Sequence, residues 1–241
     1  MEVVILAGGL GSRLRTAVDG TPKCLAPISG KPFLWFLCQY LKQYDVSHVV
    51  FSVGYLKEQV YQWVDMSKRT FPFDVSFAEE LSPLGTGGAI KNSLNYIRGE
   101  ETLVLNGDTF FDVPLDIFFQ SHKKTKSHIS IALKRMKNFD RYGMVEIDES
   151  NSKILNFSEK KYCKDGLING GIYLINKNCI LNQGLPTKFS FETEFLQNHC
   201  GKDGFIYGFP YENYFIDIGI PDDYDRAQHE LGNDIANVGE C

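Results

Sequence analysis

The apolar positions change period along the chain, and each change marks an element. Glu2-Val3-Val4-Ile5-Leu6-Ala7 is a nearly continuous apolar run closed by glycines. That is the pattern of a strand covered on both faces, as in a parallel sheet. From Pro32 to Tyr44, the residues Phe33, Leu34, Phe36, Leu37, Tyr40, Leu41 and Tyr44 recur at helical spacing. His48 to Val53 then reads as a strand, Leu56 to Met66 as a helix and Phe73 to Ala78 as a strand. A helix over Thr86 to Tyr96 leads into a strand over Thr102 to Asn106. This alternation predicts an α/β fold with a mostly parallel central sheet and helices on both faces.

The second half has a different character. Strand-like stretches at Ile129–Leu133, Met144–Ile147, Ile154–Phe157 and Gly171–Ile175 follow one another with few helices between them. They predict antiparallel strands added to, or folded over, the parallel sheet. Phe191 to His199 and Asp222 to Leu231 read as helices. The last ten residues, Gly232 to Cys241, are polar and contain glycine, so they are expected to form a flexible tail after a single domain over residues 1–231. No repeat of solenoid period is present.

Composition narrows the function classes. A chain of 241 residues with 25 basic and 30 acidic side chains carries a formal charge of −5. That argues against nucleic acid as a partner, because such a partner needs a basic face. A small anionic ligand needs only two or three cations. The six cysteines include no C-x-x-C pair, which removes zinc and dithiol motifs from consideration. Neither a signal peptide nor an apolar stretch long enough for a membrane span is visible, so a cytoplasmic location is expected. The aromatic content, 18 Phe and 12 Tyr, is enough to supply a homo-oligomer interface.

After the first strand the chain reads Leu6-Ala7-Gly8-Gly9-Leu10-Gly11-Ser12-Arg13-Leu14-Arg15, with Pro22-Lys23 following. Glycines here let the backbone approach a phosphate and present several N–H groups to it. The spacing is not G-x-G-x-x-G and no G-K-[ST] follows, so neither the dinucleotide fingerprint nor a Walker A loop fits. Two cations, Arg13 and Lys23, flank the loop instead, as polyphosphate transfer chemistry requires.

The run G-G-x-G-S-R-L followed by P-K resembles the signature of the sugar-1-phosphate nucleotidylyltransferases, whose Rossmann-like three-layer nucleotidyltransferase fold agrees with the α/β pattern. The resemblance implies that Leu6, Ala7, Gly8, Gly9, Gly11 and Ser12 hold the nucleotide. It also implies that Arg13 contacts the leaving pyrophosphate and that Lys23 neutralises the reacting phosphates. Two positions depart from the family pattern without removing a charge or a glycine: Thr16 and Cys24 stand where proline is frequent.

Further stations follow in order. Glu79 to Gly88 forms a second glycine-rich turn opening a helix, with Gly85, Thr86 and Gly88 against the nucleotide. The family position that reads the base edge is Glu80 here. A carboxylate accepts two hydrogen bonds, which suits the N1–H and N2–H₂ donors of guanine and tilts the choice to GTP. Leu103 to Asp108 is a buried strand ending in a carboxylate, which places Asp108 to hold Mg²⁺; Asp112 reads as structural. Phe215 to Pro221 resembles the family's D-x-G-x-P element, making Asp217 the second metal ligand.

Between them lie matches to the sugar side. Tyr142-Gly143 implies a backbone contact of Gly143 to sugar hydroxyls. Phe157-Ser158-Glu159-Lys160 implies Glu159 on hydroxyls and Lys160 on the sugar's phosphate. Asn169-Gly170-Gly171-Ile172-Tyr173 implies Asn169 and Gly170 on the sugar. The resemblance covers residues 2 to 230 in one collinear series. The run L-N-G-D-T-F-F-D is similar to that of short, single-domain guanylyltransferases acting on D-glycero-α-D-manno-heptose 1-phosphate. The implied reaction joins an NTP and a sugar 1-phosphate with Mg²⁺ as cofactor, and releases pyrophosphate. Mannose 1-phosphate, or UTP or CTP with another sugar phosphate, stays open as a substrate choice. A non-catalytic module that binds sugar nucleotides, or a molybdenum-cofactor-type nucleotidyltransferase, fits the motifs less well.

Overall fold

A computed structural model describes residues 1–9, 18, 20–202 and 204–238, with side chains through 231. The first half runs β1 (Glu2–Leu6), β2 (Pro27–Ile28), β3 (Lys31–Pro32), α1 (Phe33–Lys42), β4 (His48–Val53), α2 (Lys57–Ser67) and β5 (Asp74–Glu79). It continues with α3 (Gly85–Ser93), β6 (Glu101–Asn106), β7 (Thr109–Phe111) and α4 (Leu115–Thr125). The second half contains β8 (Ile129–Phe139), β9 (Gly143–Ile147), β10 (Ile154–Lys160), β11 (Cys163–Asn176) and α5 (Asn178–Leu181). A π-helical segment, Phe191–Leu196, runs into α6 (Gln197–His199), and β12 (Ile206–Tyr211), β13 (Phe215–Asp217) and α7 (Pro221–Val238) complete the chain.

The centre of the sheet is parallel, in the order β6-β1-β4-β5. Strands β1, β4 and β6 are largely apolar on both sides because each side has its own core. Val3, Ile5, Val49, Phe51, Leu103 and Leu105 pack with α1, α2, α4 and α7 on one face. Val4, Val50 and Val104 pack with Ile90 of α3 and with Phe191 and Phe195 of the π-helical segment on the other. These are the three layers expected from the unbroken apolar runs.

The expected antiparallel addition is built around β11. Its C-terminal half pairs with β6, its N-terminal half with β9, and β8 runs along its other edge. The ladder with β8 shifts between Asn169 and Tyr173, and Gly171 there adopts φ +74°. A side chain at Gly171 would meet Asn106, and one at Gly170 would stand 2.5 Å from the Phe111 ring. The two glycines therefore let β11 cross close to the end of β6.

Among the differences from the sequence expectation, three have a clear physical reason or the largest extent. Helix α4 buries Leu115, Phe118 and His122, and one of those three is polar, so its apolar stripe is too thin to announce a helix. Strand β12 joins β8 in parallel across more than seventy residues, a pairing no local pattern encodes. The final helix continues to Val238, seven residues past the expected end at Leu231.

Candidate active site

The chain leaves β1 to one side for β4 and β5, then returns to the other side for β6. Loops at such a reversal diverge and open a crevice at the carboxyl ends of the strands. Here the ends are Leu6, Ser52 and Asn106, aligned across β1, β4 and β6. Above them lies a cleft of about 610 Å³ lined by Gly8, Gly9, Tyr55, Glu80, Thr86 and Asp108, among others. That volume lies within the ~300–1,000 Å³ usual for small-molecule sites. Leu6, Gly8, Gly9, Glu80, Gly85, Thr86 and Asp108 of the expected nucleotide-side residues line it. Ala7 is buried beneath it, with its N–H on the Ser52 carbonyl at 2.8 Å. Gly11, Ser12 and Arg13 lie outside the described residues.

Lys23 and the two predicted acids meet. Lys23 Nζ donates to Asp108 Oδ2 at 2.5 Å and lies 3.6 Å from Asp217 Oδ1. The acids are brought together by a small antiparallel pair in which Asp217 of β13 stands opposite Thr109 of β7. The Ile218 N–H on the Asp108 carbonyl, at 3.0 Å, extends that ladder. Burial, and next the charge of Asp108, raise the Asp217 carboxyl above its ordinary range; Lys23 and the Gly219 N–H act in the opposite direction. Two carboxylates facing one ammonium leave the group one negative charge in excess. That donor set suits a hard divalent cation, which combines one or two carboxylates with phosphate oxygens and water. Cys24, next to Lys23, is an inert thiol: burial and then the Asp108 charge push it up to about 12.

Sequence reasoning overlooked the support of Asp217. Tyr142 Oη donates to Asp217 Oδ2 at 3.3 Å. The Arg141 guanidinium, in turn, hydrogen-bonds Tyr142 Oη at 2.8 Å and Asp223 Oδ2 at 2.5 Å. Asp223 sits in the first turn of α7 and also pairs with Arg226. Only the tyrosine of the Tyr142-Gly143 element carried a signal, and its contact crosses seventy-five residues.

Glu80 is held at the far wall. Its N–H bonds the Val53 carbonyl at 2.8 Å, Oε1 accepts from Ser52 Oγ at 3.2 Å and Oε2 from the Leu84 N–H at 3.1 Å. A Cβ at Gly8 would stand 2.6 Å from Oε1 and 3.1 Å from the Gly54 nitrogen. The glycine thus makes room for the carboxylate as well as for a phosphate.

The second glycine turn divides its labour. Gly85 (φ +72°) and Thr86 line the cleft, and Thr86 Oγ1 donates to Glu192 at 2.8 Å while accepting the Phe191 N–H. Gly88 is buried instead, where an added methyl would collide with the Thr187 carbonyl and stand 2.8 Å from Leu84 Cβ. Because a backbone carbonyl cannot step aside, Gly88→Ala is expected to destabilise the fold by about 1–3 kcal/mol, despite the better helix propensity of alanine. A lowered urea midpoint at unchanged slope checks this.

The sugar-side residues lie on the added strands. Gly143 of β9 pairs with Lys160 of β10, and a side chain on Gly143 would stand 2.5 Å from the Ser158 carbonyl. Glu159 and Lys160 are exposed. Asn169 is oriented at both ends, donating to Tyr173 Oη at 2.9 Å and accepting the Gly171 N–H at 3.0 Å. Tyr173 itself is buried, which raises its phenol well above the ordinary value. Gly143 is tied to the carboxylate pair through its neighbour Tyr142. No helix among the described residues is long and apolar enough to cross a membrane.

A parallel-sheet crevice thus brings together paired acids, a bridging lysine and glycine-rich backbone. The chain matches the nucleotidyl transferase family over residues 2–234 and belongs to it. It is 43% identical to a D-glycero-alpha-D-manno-heptose 1-phosphate guanylyltransferase from Aneurinibacillus thermoaerophilus, covering 96% of this chain and 98% of that protein. An enzyme of the same name from Campylobacter jejuni is also 43% identical, over 93% of this chain and 97% of its own. The crystal structure of HddC from Yersinia pseudotuberculosis complexed with GMP-PN superposes with a TM-score of 0.84 at 37% identity, covering 95% of this chain and 99% of that one.

Proposed function

We propose that this protein transfers GMP from GTP to D-glycero-α-D-manno-heptose 1-phosphate, giving GDP-heptose and pyrophosphate. The observation that carries the reading is end-to-end similarity to heptose guanylyltransferases at 43% identity. The cleft, lined by Glu80 and by Asp108, whose carboxylate pairs with Lys23, supports it.

In this reading an oxygen of the sugar phosphate forms a bond to the α-phosphorus of GTP, and the bond from that phosphorus to the β-phosphate oxygen breaks. The nucleophile is already an anion, so no general base is needed. The chain's contribution is to hold two mutually repelling anions in line. Lys23 supplies a fixed positive charge at the reacting phosphates, and Lys160 takes the phosphate of the sugar. Asp108 and Asp217 would hold Mg²⁺, which when bound neutralises phosphate charge. Tyr142 and Arg141 keep Asp217 oriented.

The test is a panel of four NTPs against heptose, mannose and glucose 1-phosphates, read by pyrophosphate release. GTP with the heptose phosphate should give the highest kcat/KM; a clear preference for another pair overturns the assignment. Glu80 gives a sharper expectation. Glutamine offers one donor and one acceptor, which matches uracil rather than guanine. Glu80→Gln should therefore lower the GTP-to-UTP ratio of kcat/KM by about 10- to 100-fold, the size expected when a polar contact to the substrate is mispaired.

A further inference from the structure

Ser52 is, with His48, one of two polar residues in a strand whose six residues are all buried, and its own side chain is fully enclosed. A buried hydroxyl requires a partner, and here that partner is the Glu80 carboxylate, at 3.2 Å. The backbone of Ser52 is fixed by the sheet on both sides, in register with Leu6 of β1 and Ala78 of β5. The direction of its hydroxyl is therefore set by the central strands rather than by a loop.

Glu80 presents the complementary problem. The last torsion of a glutamate is broad and roughly two-fold, so an unsupported carboxylate samples many orientations. In this chain one oxygen takes the Ser52 hydroxyl, the other takes the Leu84 N–H, and Gly8 packs beside the first. Among the described residues each oxygen uses one acceptor direction, which leaves another for a ligand. Two parallel free acceptors at fixed spacing are what the N1–H and N2–H₂ edge of guanine requires.

We infer that Ser52 is a positioning residue for nucleobase selection: from inside the sheet it sets the plane of the Glu80 carboxylate, and so makes the site discriminate the two-donor edge of guanine from a one-donor edge. The inference rests on the guanine reading above and adds the group that enforces it. Inosine triphosphate is the discriminating probe, because it keeps N1–H and lacks the exocyclic amine.

The experiment measures kcat/KM for GTP and inosine triphosphate in the wild type, Ser52→Ala, Glu80→Gln and the double variant, with urea midpoints recorded for all four. The GTP preference should fall about tenfold in Ser52→Ala, the loss appearing in KM for GTP rather than in kcat. In the Glu80→Gln background the same substitution should change the ratio by less than about twofold, because Ser52 acts through the carboxylate. An unchanged ratio in Ser52→Ala, or an equal fall in the Glu80→Gln background, overturns the inference. A wild type without preference for GTP over inosine triphosphate and ATP would instead overturn the guanine reading, and the role of Ser52 with it.

Discussion

Replacing Lys23 by alanine is expected to lower kcat by about 10³-fold with the fold retained, the upper end of what one preorganised electrostatic contact contributes. Among the described residues Lys23 is the cation that lies against both acids, 2.5 Å from Asp108 and 3.6 Å from Asp217. Its loss removes positive charge where two anions must approach, and leaves two carboxylates facing each other. The second consequence is a stability change of about 1–2 kcal/mol, discounted because Asp108 is partly exposed. Its sign with pH follows from Asp217, which is already raised by burial and Asp108 and lowered by Lys23. Without the lysine its folded pKa rises further above the unfolded value. The native state then binds more protons than the unfolded state, so stability falls as pH rises through that window. Steady-state turnover, and melting in chelator-treated buffer between pH 4 and pH 8, check the two parts. Near-wild-type turnover would sink the assignment of Lys23 to the reacting phosphates.

Asp108→Asn is expected to have a loss of similar order in turnover, about 10²–10³-fold, and the opposite effect on stability. The carboxylate pair with Lys23 carries one excess negative charge, and the amide removes it. Asp217 loses the second-largest cause of its raised pKa and keeps Lys23 and the Gly219 N–H. The variant should therefore melt at the same temperature as the wild type or higher while turning over poorly, as at sites where function is held against stability. Titration with Mg²⁺ should show weakened saturation of the residual activity. A variant that is both inactive and markedly less stable would mean that Asp108 is a structural residue.

How much of this was legible follows the range of the interactions. The strand over His48 to Val53 was readable to the residue, because two-sided burial writes a mostly apolar run. Asp108 and Asp217 were legible because each follows an apolar strand, although the antiparallel pair that joins β7 to β13 left no local trace. The Arg141–Tyr142–Asp217 chain was missed because arginine and tyrosine beside a glycine look like any turn. Gly88, read as a nucleotide contact, stands in the structure as a packing glycine beneath Thr187. Nothing in the local pattern near Gly88 reports that a carbonyl ninety-nine residues later will lie against it.

By itself the sequence determined the layered α/β architecture, the glycine turns and the inventory of charges at the strand ends, since these depend on the periodicity of burial and on which residue types can approach phosphate. The tertiary structure alone decided which charges meet. It set Lys23 between two acids, turned the Glu80 carboxylate toward the cleft by a hydroxyl inside the sheet, and anchored Asp217 to the last helix through Tyr142 and Arg141. The physical reason is that burial patterns are summed over neighbours along the chain, whereas ion pairs and hydrogen bonds act over about 3 Å between segments that only folding brings together.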